Sequence, residues 1–317
     1  MTKQTNQNSN HGLIWFRVMK VVVMLAAWFF LIYKLVVFKE YDYVLEKIRH
    51  SSSSDLILVI VVLLLMPVNI LFEALKWKTL LSTTFRIGIA KSIYAVLTGM
   101  VSGFITPNRW GDVLGRLLFV PSEFRKQGIA FAVLNAMSQN FAILVLGVPA
   151  AFLFFQSPDS TQLQVVKYLI VGLITAFLLV ILVCLLSIYA QNGKIKKLFG
   201  AWILPIHQVN SNFFQAIFYS VFRTLIFSFQ LYLMLLFFDV SIPLAQAVVA
   251  IPLSYLLVTF TPSVALSEVA IRSSYAVYII GFYSSNTLGI AMASVFVWLI
   301  NYALPMLMGS KWIITKK

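Results

Sequence analysis

Long apolar runs alternate with short polar stretches from about residue 18 onward. Residues 18–38, VMKVVVMLAAWFFLIYKLVVF, predict a first helix with Lys20 and Lys34 near its ends, where long stems let the charged heads reach an interface. A mixed-charge loop then ends in SSSSD, whose Ser and Asp suit a helix N-cap. A second apolar run covers 56–75, and others cover 128–155, 166–190, 213–238 and 285–309. A helix that crosses a bilayer needs about 20 apolar residues, so these six runs predict spans. Two segments break the pattern. Residues 92–105, SIYAVLTGMVSGFI, hold two glycines and only fourteen positions. That length covers about 21 Å at a rise of 1.5 Å per residue, short of the ~30 Å hydrocarbon core. Residues 243–280 are apolar but interrupted by Pro243, Pro252 and Pro262, and they carry Glu268 and Arg272. Both segments predict re-entrant hairpins.

The expected fold is therefore an all-α polytopic membrane protein with about six full spans plus two Pro/Gly-broken re-entrant hairpins. Residues 1–16 predict a disordered tail, 17–309 a single transmembrane domain, and 310–317 a second tail. No run of about ten alternating residues recurs, which argues against a transmembrane barrel. Composition agrees: 61% of the 317 residues are hydrophobic and 11% charged, with a mean hydropathy of +0.92. Soluble domains are nearer 45–50% apolar and about 25% charged.

The net charge of +14 would suggest nucleic acid in a soluble protein. Here the basic residues flank apolar runs, so no nucleic-acid partner is expected. Loops 76–91 (with Lys76, Lys78, Arg86 and Lys91), 107–127 and 191–212 are basic, while 39–55, 156–165 and 239–243 are balanced or sparse. Re-entrant hairpins place all the basic loops on one side together with both termini, which the positive-inside rule makes cytoplasmic. Cys184 stands alone, and His11, His50 and His207 are far apart. No HExxH, Walker A or GxSxG motif is present. No metal, cofactor or catalytic constellation is expected, and the chain does not read as an enzyme.

The two odd segments resemble each other. Aligned on their Thr-Pro pairs, residues 87–107 (IGIAKSIYAVLTGMVSGFITP) and 242–262 (IPLAQAVVAIPLSYLLVTFTP) share five of 21 positions. The first continues to Asp112 and Arg116, the second to Glu268 and Arg272. Each acid has its arginine four residues on, on one helix face. With the topology above the copies enter from opposite sides, giving an inverted repeat with halves of about 56–155 and 213–309. In secondary transporters such broken segments mark the substrate site. Ionisable residues at membrane depth cost at least about 2.5–3.5 kcal/mol on insertion scales and mark pathways or sites. Arginine also matches phosphate oxygens. Arg109, Asp112, Arg116, Glu268 and Arg272 are thus candidate substrate-binding residues. The plain alternatives are that each acid merely pairs with its own arginine, or that 107–127 is an ordinary loop. Asn135 and Gln139, on one face of the 128–155 span, are further candidates. Asn140, Asn69, Glu73, Arg223, Gln230 and Asn301 read first as interhelical hydrogen-bonding groups. Pro107, Gly111 and Pro262 are candidate structural turns.

Pro107 to Arg116, PNRWGDVLGR, resembles the first signature of the lysylphosphatidylglycerol synthase transmembrane, or flippase-like, family. Thr261 to Arg272, TPSVALSEVAIR, is similar to its second, with SVALS where the family commonly has a glycine-rich form. The resemblance spans about 17–309. It implies a multi-pass protein of the bacterial inner membrane with two inverted, re-entrant halves. It also implies movement of a lipid, anionic or aminoacylated, or of a lipid-linked molecule, between leaflets. The chain ends at KWIITKK without the soluble aminoacyl-transferase domain, so synthesis of a lysyl-lipid is not expected. The expected partner is a membrane lipid, with an anionic phospholipid first; homo-oligomerisation is left open. Alternatives are a membrane-embedded lipid-modifying transferase with Asp112 or Glu268 as base, and a non-transporting partner subunit.

Overall fold

A computed structural model describes residues 41–104, 106, 109–156, 171–172, 210–261 and 265–315. The predicted span 18–38, most of 166–190, the tail 1–16, Pro107 and Pro262 lie outside the described residues. All regular structure among the described residues is helical.

Helix α1 (Tyr41–Arg49) precedes α2 (Ser53–Leu81). A capping box starts α2: Asp55 N donates to Ser52 Oγ at 3.3 Å, and Ser52 N donates to Asp55 Oδ2 at 3.0 Å. These bonds satisfy two amides that the first turn would otherwise leave open. The helix has two characters. Ile57, Ile60 and Leu64 face outward from the described residues, whereas Asn69, Glu73, Lys76 and Trp77 are buried. The helix continues to Leu81, so Lys76 and Lys78, expected in a basic loop, lie within it.

The first odd segment is α3 (Ile89–Phe104) followed by the short α4 (Trp110–Leu117). The two pack antiparallel at very close range. A Cβ on Gly115 would sit 2.7 Å from Gly99 Cα, and one on Gly111 would sit 2.1 Å from Ser102 O. Only glycine permits backbones this near. Thr106 secures the turn: its Oγ1 donates to Gly103 O at 3.2 Å and accepts from Gly111 N at 2.6 Å. At sixteen residues, α3 is about 24 Å long.

After a 3-10 turn (Ser122–Phe124), α5 runs Arg125–Phe155. Helix α6 covers Asn210–Phe237, and the second odd segment forms α7 (Leu244–Phe260) and α8 (Ala265–Ile280). Thr261 matches Thr106 in role, since its Oγ1 bonds Leu257 O and Tyr275 Oη, each at 2.9 Å. Helix α9 (Thr287–Trp298) passes through a π-helical turn (Leu299–Ala303) into α10 (Leu304–Thr315). That helix enters the segment 310–317, expected as a tail.

Helix α2 packs along α6, α5 against α6 and α7, α3 against α10, and α8 against α9. One apolar core joins α5 to α9 through Leu231, Phe238, Leu253, Leu256 and Ile279; a second joins α2, α3 and α5 through Trp77, Leu80, Val96 and Phe131. Helices within 53–81, 122–155, 212–237 and 287–311 are long and apolar enough to cross a membrane. They correspond to four of the six predicted spans. Between these cores the helices bring together a set of charged side chains.

Candidate functional site: a buried arginine–carboxylate cluster

Glu73 is the centre of the site. It is 2% exposed, and four donors fill the four acceptor positions of its carboxylate. Arg116 Nη2 and Asn135 Nδ2 each donate to Oε1 at 2.8 Å. Lys76 Nζ donates to Oε2 at 2.9 Å, and Arg223 Nη1 shares that oxygen. Glu73 and Lys76 come from α2, Arg116 from α4, Asn135 from α5 and Arg223 from α6, so one carboxylate ties four helices. Charge-assisted bonds of this kind are roughly twice as strong as neutral ones, and their closeness compensates the desolvation of burying the ions.

Around this centre lies a ring of polar supports. Arg223 Nε donates to Asn69 Oδ1 at 2.6 Å, and its Nη1 donates to Gln139 Oε1 at 3.2 Å. Gln139 Nε2 in turn donates to Thr224 Oγ1 at 2.9 Å. Asp112 holds Arg116 from the other side, with Oδ2 2.8 Å from Nη2. The sequence places Asp112 in the first turn of α4 and Arg116 in the last, the ends that the helix dipole favours for each charge.

A second carboxylate bridges the two odd segments. Glu268, on α8, accepts from Arg109 Nη2 at 2.6 Å and from Arg272 Nε at 2.9 Å. Arg109 is the N-cap of α4 and has φ 60°, a left-handed conformation uncommon outside glycine. Its guanidinium stacks 3.9 Å from the ring centre of Tyr302, and Arg272 Nη2 lies 3.4 Å from that phenol oxygen. Tyr302 sits in the π-turn, a distortion often found at functional sites.

The two clusters meet at a cavity of about 400 Å³ lined by Glu73, Lys76, Arg116 and Arg223 from the first and by Arg109 and Tyr302 from the second. Asp112, Asn135 and Gln139 also line it. A smaller cavity of about 70 Å³ adjoins through Gln139, Arg223 and Tyr302, and Arg272 lines that one. Arg116 and Arg272 therefore face neighbouring cavities that share a wall. Glu268 lies behind them and holds two arginines in place. Among the described residues, no group of three or more His, Cys, Asp or Glu is placed to hold a metal ion.

A family model described as the lysylphosphatidylglycerol synthase TM region matches residues 17–309, a stretch that contains both clusters and both odd segments. The chain belongs to this family. It is an all-α, multi-pass membrane protein related to lipid handling. No curated protein and no solved structure matches the chain.

All seven substrate-binding candidates from the sequence come together here. Asp112 and Arg116 pair, as do Glu268 and Arg272, but neither pair is self-contained, because Arg116 also binds Glu73 and Glu268 also binds Arg109. Gly111 N donates to Thr106 Oγ1 at 2.6 Å where α3 turns into α4. Glu73, Asn69 and Arg223 make interhelical bonds, as first read from the sequence; Lys76, expected in a loop, and Tyr302, not singled out, also line the cavity. A signal for Lys76 was present: Asn69, Glu73 and Lys76 recur at helical spacing in an otherwise apolar run. Tyr302 carries no comparable signal, because one tyrosine among thirteen is placed only by the π-turn.

Proposed function

We propose that this protein moves a lipid with an anionic headgroup between the leaflets of its membrane. The observation that carries this reading is the cavity of about 400 Å³ walled by Lys76, Arg116 and Arg223 and set among helices long and apolar enough to span a bilayer. Fixed cations at membrane depth are tolerated where they face an aqueous cavity or meet a partner. Arginine forks fit phosphate oxygens. In this reading α3–α4 and α7–α8 are re-entrant hairpins that enter from opposite sides. The repeated Thr-Pro pair, followed each time by an acid with an arginine four residues on, supports it. The headgroup crosses between the hairpins while the acyl chains stay in the apolar phase. Movement is downhill or ion-coupled.

The test is reconstitution of purified protein into vesicles carrying a head-labelled anionic phospholipid, with leaflet exchange read by chemical quenching. Wild-type protein raises the exchange rate, and the Arg116→Ala/Arg272→Ala variant lowers it. Equal rates for wild type, variant and protein-free vesicles across a broad lipid panel refute the reading.

A further inference from the structure

We infer that the cavity prefers a phosphate dianion, the phosphomonoester headgroup of a lipid, over monoanionic phosphodiester headgroups and over cationic aminoacylated ones. The inference rests on the reading that the cavity takes a lipid headgroup, and it names which kind.

Lys76, Arg109, Arg116, Arg223 and Arg272 belong to the two linked clusters, and among the described residues Glu73, Asp112 and Glu268 alone oppose them. Five cations against three carboxylates leave a formal excess of two positive charges. The other described carboxylates lie elsewhere. Asp55 caps the opposite end of α2, about 27 Å from Glu73 at 1.5 Å per residue. Asp239 pairs with Lys47 at 2.7 Å, and Asp42, Glu46 and Glu123 are on neither cavity wall. Glu40 and Asp159 lie outside the described residues. Uncompensated charge of one sign is costly at low dielectric, so the site favours a ligand that brings the missing two negatives.

A second, independent feature points the same way. Arg116 is 4% exposed and lines the cavity, yet its Nη1 has no hydrogen-bond partner. Buried donors are nearly always satisfied, and a phosphomonoester offers three strong acceptor oxygens. A phosphodiester brings half the required charge. A lysyl ester adds ammonium groups to a site already in positive excess, where like charges repel.

The test measures binding rather than movement, so its outcome is separate from that of the transport assay. Full-length protein in detergent is titrated with dioctanoyl phosphatidic acid, dioctanoyl phosphatidylglycerol, the lysyl ester of the latter, and inorganic phosphate. Ligand-induced stabilisation is read at pH 8 and pH 5. At pH 8 phosphatidic acid binds at least about tenfold more tightly than phosphatidylglycerol, a difference of about 1.4 kcal/mol, and the lysyl ester binds most weakly. A phosphomonoester loses its second charge near pH 6, so the preference shrinks toward one at pH 5. No histidine is on the cavity wall among the described residues, and repeating the titration at both pH values with Lys76→Gln separates the charge lost by the ligand from a proton taken up by the lysine. Lys76→Gln lowers the preference at pH 8. Equal affinities at pH 8, a preference unchanged at pH 5, or tightest binding of the lysyl ester overturns the inference and leaves the transport reading standing. Inorganic phosphate bound as tightly as phosphatidic acid supports the dianion and overturns the lipid as its source. If none of the four ligands binds, the inference falls, and the exchange assay over the broad lipid panel decides the transport reading.

Discussion

Replacing Glu73 by glutamine removes one negative charge from the point where four helices meet. The Oε1 of glutamine still accepts from Arg116 and Asn135, which both approach one carboxylate oxygen in the native protein. The amide nitrogen then faces Lys76 Nζ and Arg223 Nη1, which approach the other. Two charge-assisted bonds become donor–donor contacts, and the local positive excess grows by one. Removing one partner of a buried ion pair costs about 3–5 kcal/mol, and Glu73→Gln is expected in that range. The assay is reversible unfolding of purified protein in mixed micelles, titrated with a denaturing detergent. A double-mutant cycle isolates the mechanism. Arg223→Gln alone also destabilises, because Asn69, Gln139 and Glu73 lose their donor. In the double variant the two amides regain a complementary contact, so the losses add to less than their sum by at least about 1 kcal/mol. A loss below about 1 kcal/mol for Glu73→Gln, or strict additivity, would refute the view of Glu73 as the common partner of three buried cations.

Other substitutions probe the hairpin and the bridge. Gly115→Ala forces a Cβ to within 2.7 Å of Gly99 Cα and Thr98 O and is expected to cost about 1–3 kcal/mol in the same unfolding assay. Gly88→Ala, with nothing within 4 Å, is expected to stabilise by about 0.4–1 kcal/mol. Tyr302→Leu removes the aromatic face shared by Arg109 and Arg272 and is expected to cost about 1–2 kcal/mol, whereas Tyr302→Phe keeps the ring and stays close to wild type. Arg109→Gly breaks the bridge to Glu268 but relieves a left-handed backbone worth about 1–2 kcal/mol. Its stability is therefore expected to fall by less than the ~3–5 kcal/mol of removing a buried partner, while leaflet exchange in vesicles falls.

The fold was legible wherever one segment decides its own structure. Apolar runs gave the four long helices that are described, and SSSSD gave the cap of α2. The glycines and the Thr-Pro turns marked both short helix pairs. The repeat is less regular than the alignment suggested, since α4 has 8 residues where α8 has 16. The chemistry was legible where acid and arginine share one helix, as at Asp112/Arg116 and Glu268/Arg272. It was not legible across helices. Arg223 meets Glu73 from 150 residues away, and Arg109 meets Glu268 from 159. Such pairings depend on how helices rotate against each other, which periodicity leaves open. Lys76 shows the same limit: a lysine near the end of an apolar run reads as interfacial, and packing of α6 against α2 buries it instead.

Each carboxylate of the site has a cation within one helical turn: Lys76 beside Glu73, Arg116 beside Asp112, Arg272 beside Glu268. That arrangement has a consequence for biogenesis. A growing chain enters the bilayer segment by segment, and Glu73 is synthesised long before Arg223 exists to meet it. Its neighbour on α2 lets the segment enter as a neutral pair, which lessens the penalty of a lone charge in lipid. The same holds for the other two acids. Arg223 has no acid on its own helix, and Asp112, the acid nearest Arg109 on α4, is paired with Arg116, so both arginines find their partners only when separate segments associate. The bonds that Arg109 and Arg223 make across helices are therefore the last to form, and their formation marks the point at which inserted helices become an assembled site.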